Sequence, residues 1–145
     1  MSTRLIAEGL IYDLTEDEKA RQRIVEDLLP SISAYAAEAD ARSEFPEAHL
    51  KAFRESGLLG LVIPTEYGGM GGDYVALCVA IEELARVDSS LAITLEAAVS
   101  LGAMPILRFG TDAQRAEWLP RLAAGEALGA FGLTEPGGGT DAGAT

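Results

Sequence analysis

Apolar residues recur at helical spacing through most of this chain. Ile24, Leu28 and Ile32 stand four apart, with Val25, Leu29 and Ala36 beside them. That spacing gathers the side chains on one stripe and predicts an amphipathic helix over roughly 16–39. Thr15 and Glu18 frame its start as a capping box, in which the hydroxyl and the carboxylate each accept from the other residue's backbone N–H. Pro30 lies inside the pattern, where a missing N–H and a bulky ring are expected to kink the axis. Pro46 suits the first turn of a second helix and Gly57 the position just past its end, with Leu50 and Phe53 facing the core.

The run Leu58-Leu59-Gly60-Leu61-Val62-Ile63-Pro64 is apolar but too punctuated for a helix, and Tyr67-Gly68-Gly69-Met70-Gly71-Gly72 reads as a turn. Asp73 can cap a third helix with Leu77, Cys78, Ile81, Leu84 and Ala85 on one side. Glu82, Glu83 and Arg86 lie mostly on the other. Ser89 or Ser90 can cap the stretch Leu91–Leu101, which is apolar nearly all round and is expected to be buried among other helices. Its small residues would let another body approach closely. Gly102 is expected to break it before a short piece around Pro105–Phe109. Thr111 and Gln114 form a second capping box, opening a helix with Trp118 and Leu122 that breaks or kinks at Pro120.

From Gly129 the texture changes. Gly129–Glu135 reads as extended, with Phe131 and Leu133 alternating, and Pro136–Asp141 as a loop. The expected fold class is all-α: a helical bundle with a truncated β segment at the carboxy end. The boundaries follow as a tail over 1–12, a helical domain over 13–128 and the start of a β-domain over 129–145. A single strand cannot satisfy its own backbone groups, so 129–145 needs strand partners.

Composition narrows the classes of function. The 145 residues carry 23 Asp and Glu against 11 Lys and Arg, a net charge of −12. Duplex nucleic acid and anionic membrane surfaces both call for clustered cations, so neither is an expected partner. The hydrophobic fraction of 48% is ample for a core. Cys78 is the single cysteine, so no internal disulfide forms; its apolar neighbours suggest a buried small hydrophobe. The first ten residues contain too short an apolar run for a signal peptide or membrane span, and a cytoplasmic location is expected.

The stretch Phe131-Gly132-Leu133-Thr134-Glu135-Pro136-Gly137-Gly138-Gly139-Thr140-Asp141 carries the most chemistry. It delivers one hydroxyl, Thr134, to a run of three glycines followed by a second hydroxyl, Thr140. Such glycines let backbone N–H groups approach a flat or anionic ligand, and the hydroxyls can donate to ring heteroatoms or phosphate oxygens. A plain glycine turn between two strands accounts for the same residues. Gly137–Ala142 fits the spacing of a dinucleotide fingerprint, but the helix and the acidic residue about 20 positions on that this fingerprint requires are lacking. No Lys-Ser or Lys-Thr pair follows the glycines, which excludes a P-loop. Glu82 and Glu83 suit a solvated helix face, Glu96 a partly exposed helix edge, and His49 the surface. No metal set or nucleophile constellation is present.

Leu133-Thr134-Glu135-Pro136-Gly137-Gly138-Gly139-Thr140-Asp141 resembles the Leu-Thr-Glu-Pro-Gly-x-Gly-Ser-Asp run of the acyl-CoA dehydrogenases. Leu14–Asp17, Gly57–Gly60, Pro64–Gly69, Glu82–Asp88 and Phe109–Thr111 are similar to further segments of that family, in the same order. Thr140 departs from the usual Ser, keeping the hydroxyl and adding a methyl. The resemblance implies α,β-dehydrogenation of an acyl-CoA thioester with FAD as cofactor. It implies that Phe131, Leu133 and Thr134 meet the flavin ring, and that Gly139 and Thr140 lie at the pyrophosphate, Thr140 also near the CoA chain. Thr94, Ala97, Ala98 and Leu101 become candidates for the wall of the acyl pocket, with ordinary core packing open for each.

The family's catalytic carboxylate belongs to a carboxy-terminal helical domain, so no catalytic base is assigned here, and the 145-residue chain is expected to be inactive alone. An electron-transfer partner and a homo-oligomer are implied for a full-length enzyme. A non-catalytic helical interaction module, or one subunit of a split enzyme, is the alternative.

Overall fold

The computed structural model describes residues 13–45 and 47–144. The tail over 1–12 and the placement of Pro46 lie outside the described residues. Helix α1 spans Glu16–Arg42, α2 Glu47–Ser56, α3 Tyr74–Ala85, α4 Ser89–Glu96, α5 Met104–Phe109 and α6 Asp112–Ala123. Short 3-10 turns at Leu58–Gly60 and Thr65–Tyr67 fill the gap before α3, and a π-helical turn at Ala97–Ala103 joins α4 to α5. Helix α3 packs between α1 and α4, while α6 lies on α5 and on the two 3-10 turns. The described residues contain no strand, so the architecture is the helical one expected.

Both capping boxes form. Thr15 accepts from the N–H of Glu18 at 3.2 Å, and the Glu18 carboxylate accepts from the N–H of Thr15 at 2.6 Å. Thr111 and Gln114 repeat the exchange at 3.3 and 2.8 Å. Neither proline breaks its helix. Pro30 and Pro120 are both solvent-exposed, so water can solvate the carbonyl that each ring deprives of a donor. Asp88, rather than Ser89 or Ser90, caps α4: its Oδ1 accepts from the N–H groups of Ser90 and Leu91 at 2.9 and 3.1 Å.

The core runs from Val25 and Ile32 of α1 through Phe53, Leu58, Leu61 and Ile63 to Leu84, Leu91, Leu95 and Leu119. The punctuated run Leu58–Ile63 is thus wholly buried although it is not a regular helix. Arg21 holds the glycine turn beside it. Arg21 is 8% exposed, and its guanidinium pairs with Asp17 and donates to the carbonyl of Met70 at 2.9 Å.

Four burial expectations are corrected. Cys78 is exposed, because α3 buries Ala76, Leu77, Ala80 and Leu84, and at 3.6 residues per turn Cys78 and Ala85 fall on the opposite side. His49 is buried at 5% exposure, four residues before Phe53 on the same face, with its ring edge-on to Tyr35 at 5.7 Å. In α6 Leu122 is buried, together with Leu119 and Ala123, but Trp118 stays 37% exposed under the guanidinium of Arg121. The stretch Leu91–Leu101 is buried on one side only, with Ile93 64% and Leu101 41% exposed.

Gly102 does not break the chain. Helical backbone continues from Ser89 to Phe109, 21 residues with mean hydropathy 1.6. By length and composition that segment could cross a membrane, but its inner face is the centre of this bundle.

Candidate functional site

The helix Ser89–Phe109 has two apolar faces. Leu91, Leu95, Ala98, Val99, Gly102 and Ala103 point into the core. Ile93, Ala97, Leu101, Pro105 and Phe109 recur every four residues on the outer side, from half-buried at Ala97 to 86% exposed at Phe109. Of the four residues expected in an acyl-pocket wall, Thr94, Ala97 and Leu101 are open to solvent to some degree. Ala98 is 6% exposed and committed to the core. The Thr94 hydroxyl donates to the carbonyl of Ser90 at 2.9 Å, leaving its oxygen as an acceptor. The π-helical turn Ala97–Ala103 lies within this wall, and such turns occur frequently at functional sites.

After α6 the chain turns at Gly125, with φ +69°, and crosses the wall. Gly129 passes directly over Gly102. A Cβ placed on Gly102 would lie 2.5 Å from the Cα of Gly129, and one placed on Gly129 would lie 2.9 Å from the carbonyl oxygen of Ala98. Beyond this crossing, residues 130–134 form no ladder, and Phe131 and Leu133 are 56% and 40% exposed. Glu135 and Gly138 exchange two backbone hydrogen bonds of 2.8 and 3.1 Å, which folds the glycine run into a tight hairpin-like turn. Gly139 then returns against Thr134: a Cβ on Gly139 would sit 2.8 Å from Thr134 Oγ1. A side chain at 139 would therefore displace the hydroxyl. Thr140 is exposed.

Thr134 and Gly139 are thus brought together, and Gly129 and Ala130 link their loop to the wall that carries Thr94, Ala97 and Leu101. The pairing of Gly102 with Gly129 was missed in the sequence. A glycine within an apolar helix marks close backbone approach as readily as a break, and that was the available signal. Two surface grooves lie away from these residues. One of about 560 Å³ is lined by Ser33, Asp40, Glu44 and Asp88 among others, and one of about 340 Å³ by Pro105, Ile106, Phe109 and Trp118 among others. Neither includes a residue expected at the cofactor or acyl group.

Glu96 is half-buried at the edge of the wall, as expected. Glu82 is exposed, whereas Glu83 is largely covered, pairing with Arg86 at 2.9 Å and accepting from Gln22 at 3.1 Å. Tyr74 and Arg108 close the outer end of the helix, Arg108 donating to the Tyr74 hydroxyl at 2.7 Å. No group of three or more His, Cys, Asp or Glu among the described residues could hold a metal ion.

Comparison with known proteins places this arrangement. Residues 15–126 match the model of the family described as acyl-CoA dehydrogenase, N-terminal domain. The probable acyl-CoA dehydrogenase YngJ of Bacillus subtilis is 42% identical over 135 residues, which cover 92% of this chain and 36% of that protein. The short-chain specific acyl-CoA dehydrogenase of Clostridium acetobutylicum is 40% identical over 134 residues, 92% of this chain and 35% of that protein. Among solved structures, the butyryl-CoA dehydrogenase of Megasphaera elsdenii superposes with a TM-score of 0.85 at 37% identity, covering 92% of this chain and 36% of that one. A chain in a structure described as the electron transferring flavoprotein of Acidaminococcus fermentans superposes with a TM-score of 0.87 at 39% identity, covering 93% and 36%. The present chain therefore spans just over a third of the length of these relatives.

Proposed function

The chain belongs to the acyl-CoA dehydrogenase family, and we propose that it supplies one wall of an acyl-CoA pocket and part of an FAD contact in a dehydrogenase that forms 2-enoyl-CoA. The observation that carries this reading is the crossing of Gly129 over Gly102, which joins the glycine loop to the exposed apolar face of the Ser89–Phe109 helix. In this reading residues 129–145 begin the middle β-domain of the whole enzyme.

The residues present fit a flavin. Phe131 and Leu133 offer exposed apolar surface to a flat ring, and Thr134 offers a hydroxyl beside it. Space around Gly137 is open, so backbone N–H groups of the turn can face an anionic pyrophosphate. Bound there, FAD would supply the hydride-accepting chemistry. Thr94, Ala97 and Leu101 would orient the acyl chain and exclude water from it, with Thr140 meeting the CoA portion. No residue of this chain is assigned as the base that removes the α-proton. The likeness to a chain in the Acidaminococcus fermentans electron transferring flavoprotein structure supports a flavoprotein partner for reoxidation. A homo-oligomeric whole enzyme belongs to the same proposal.

The test is a chimera in which residues 15–140 replace the matching segment of the Megasphaera elsdenii butyryl-CoA dehydrogenase. A folded chimera should be yellow and reduce dye with an acyl-CoA. Thr134→Val should shift its flavin absorption, the lost hydrogen bond being worth about 1 kcal/mol. A folded chimera that takes up no FAD would sink the proposal.

A further inference from the structure

Gly102 and Gly129 touch backbone to backbone, and neither has room for a Cβ. The added carbon at 102 would meet Cα and C of Gly129 at 2.5 and 2.9 Å and the nitrogen of Ala130 at 3.3 Å. The one at 129 would meet Cα of Gly102 at 2.7 Å and the Ala98 carbonyl oxygen at 2.9 Å. These partners are main-chain atoms, which cannot rotate aside as a flexible side chain can. On the helix side the contact falls in the π-helical turn Ala97–Ala103, between the wall residues Ala97 and Leu101 and the start of α5. On the loop side it falls two residues before Phe131 and five before Thr134. By contrast, a Cβ added at Gly132 or Gly137 would meet nothing within 4 Å. Beyond the crossing, the backbone closes on itself at the Glu135–Gly138 pair, which shapes the turn but does not fasten it to the bundle.

From this contrast we infer that Gly102 and Gly129 are positioning residues: their contact sets where the loop Phe131–Thr140 stands relative to the wall Thr94–Leu101. The inference rests on the function proposed above for these two groups, but its test needs no ligand, so the two can fail separately. Because one contact serves both groups, a shift of the wall at Gly102 moves the loop with it.

The experiment is backbone NMR on the 145-residue chain. Gly129→Ala and Gly102→Ala should displace the amide signals of the loop Phe131–Thr140, while the Glu135–Gly138 pair, which is local to the turn, stays closed. Helical circular dichroism should be retained. Gly132→Ala and Gly137→Ala should alter only their immediate neighbours. Loop signals that stay in place in both joint variants would overturn the inference, as would changes no larger than those of the open-space controls. Should the joint variants unfold, relaxation of the unsubstituted chain decides. Gly129 and Ala130 must be as rigid as Gly102, and free picosecond-to-nanosecond motion there would rule the joint out.

Discussion

The two faces of the Ser89–Phe109 helix are nearly equal in hydrophobicity and opposite in fate. Leu95 on the inner face is fully buried, while Leu101 on the outer face is 41% exposed and Phe109 86% exposed. Helical period alone cannot separate them, because it reports an amphipathic face only where polar residues mark the other side. The inner face is selected by α3 and α6, which bring Leu84 and Leu119 to it. The outer face is apolar yet stays partly to largely open to solvent, as a wall for an acyl chain would be. Similar apolar character thus serves folding on one face and, in the function proposed here, recognition on the other.

The largest effect that would break this comparison comes from a matched pair of truncations. Leu95→Ala removes buried methyl groups and leaves a cavity, so it should cost about 2–5 kcal/mol in denaturant unfolding. Leu101→Ala should cost no more than about 1 kcal/mol, since much of its side chain already meets water. In the active chimera the order should reverse: Leu101→Ala should change the preference for acyl-chain length. Equal stability losses at the two positions would mean that the outer face is core after all.

The same distinction explains what could be read in advance. Both capping boxes, the Asp73 cap and the buried Leu50 and Phe53 were legible, because each depends on neighbours within four residues. The glycine loop was legible as a turn through its residue types, and the Glu135–Gly138 pair closes it. Cys78 was not, because α3 is apolar on several sides and only its packing on α1 and α4 chooses the buried set. His49 was misread for the opposite reason: its polarity masked its position on the Phe53 side of α2. The contact of Gly102 with Gly129 spans 27 residues of sequence, and no local pattern reports a long-range backbone crossing.

A middle-sized effect sharpens the comparison at the start of the helix. Asp88 Oδ1 accepts from two N–H groups of the first turn, whereas the Ser89 side chain makes no capping bond. Asp88→Ala should therefore cost about 1 kcal/mol, and Ser89→Ala should stay within about 0.5 kcal/mol. Thermal or denaturant unfolding of the two variants measures the difference. A larger loss at Ser89 would return the cap to the serine.

The smallest effect belongs to a pair on the solvent-facing side of α1. Glu16 lies in the first turn of α1, where Lys19 donates to its carboxylate at 2.8 Å. That hydrogen bond, then the Lys19 charge and more weakly that of Arg23, holds the Glu16 carboxyl below the usual carboxylate range. A depressed folded-state pKa means that the contribution to stability is present above the unfolded value and is lost as pH falls through the folded one. The window is therefore acidic, and at neutral pH the contribution is in place. Its size is small because both side chains meet solvent, where water and salt screen the pair. Lys19→Gln should raise the Glu16 titration midpoint toward that of an ordinary glutamate, as followed by carboxyl NMR. High salt should move the unsubstituted chain in the same direction. Acid unfolding should shift less than for any variant above. An unchanged midpoint in Lys19→Gln would leave the helix dipole, which favours a carboxylate in the first turn, as the better account of the depression.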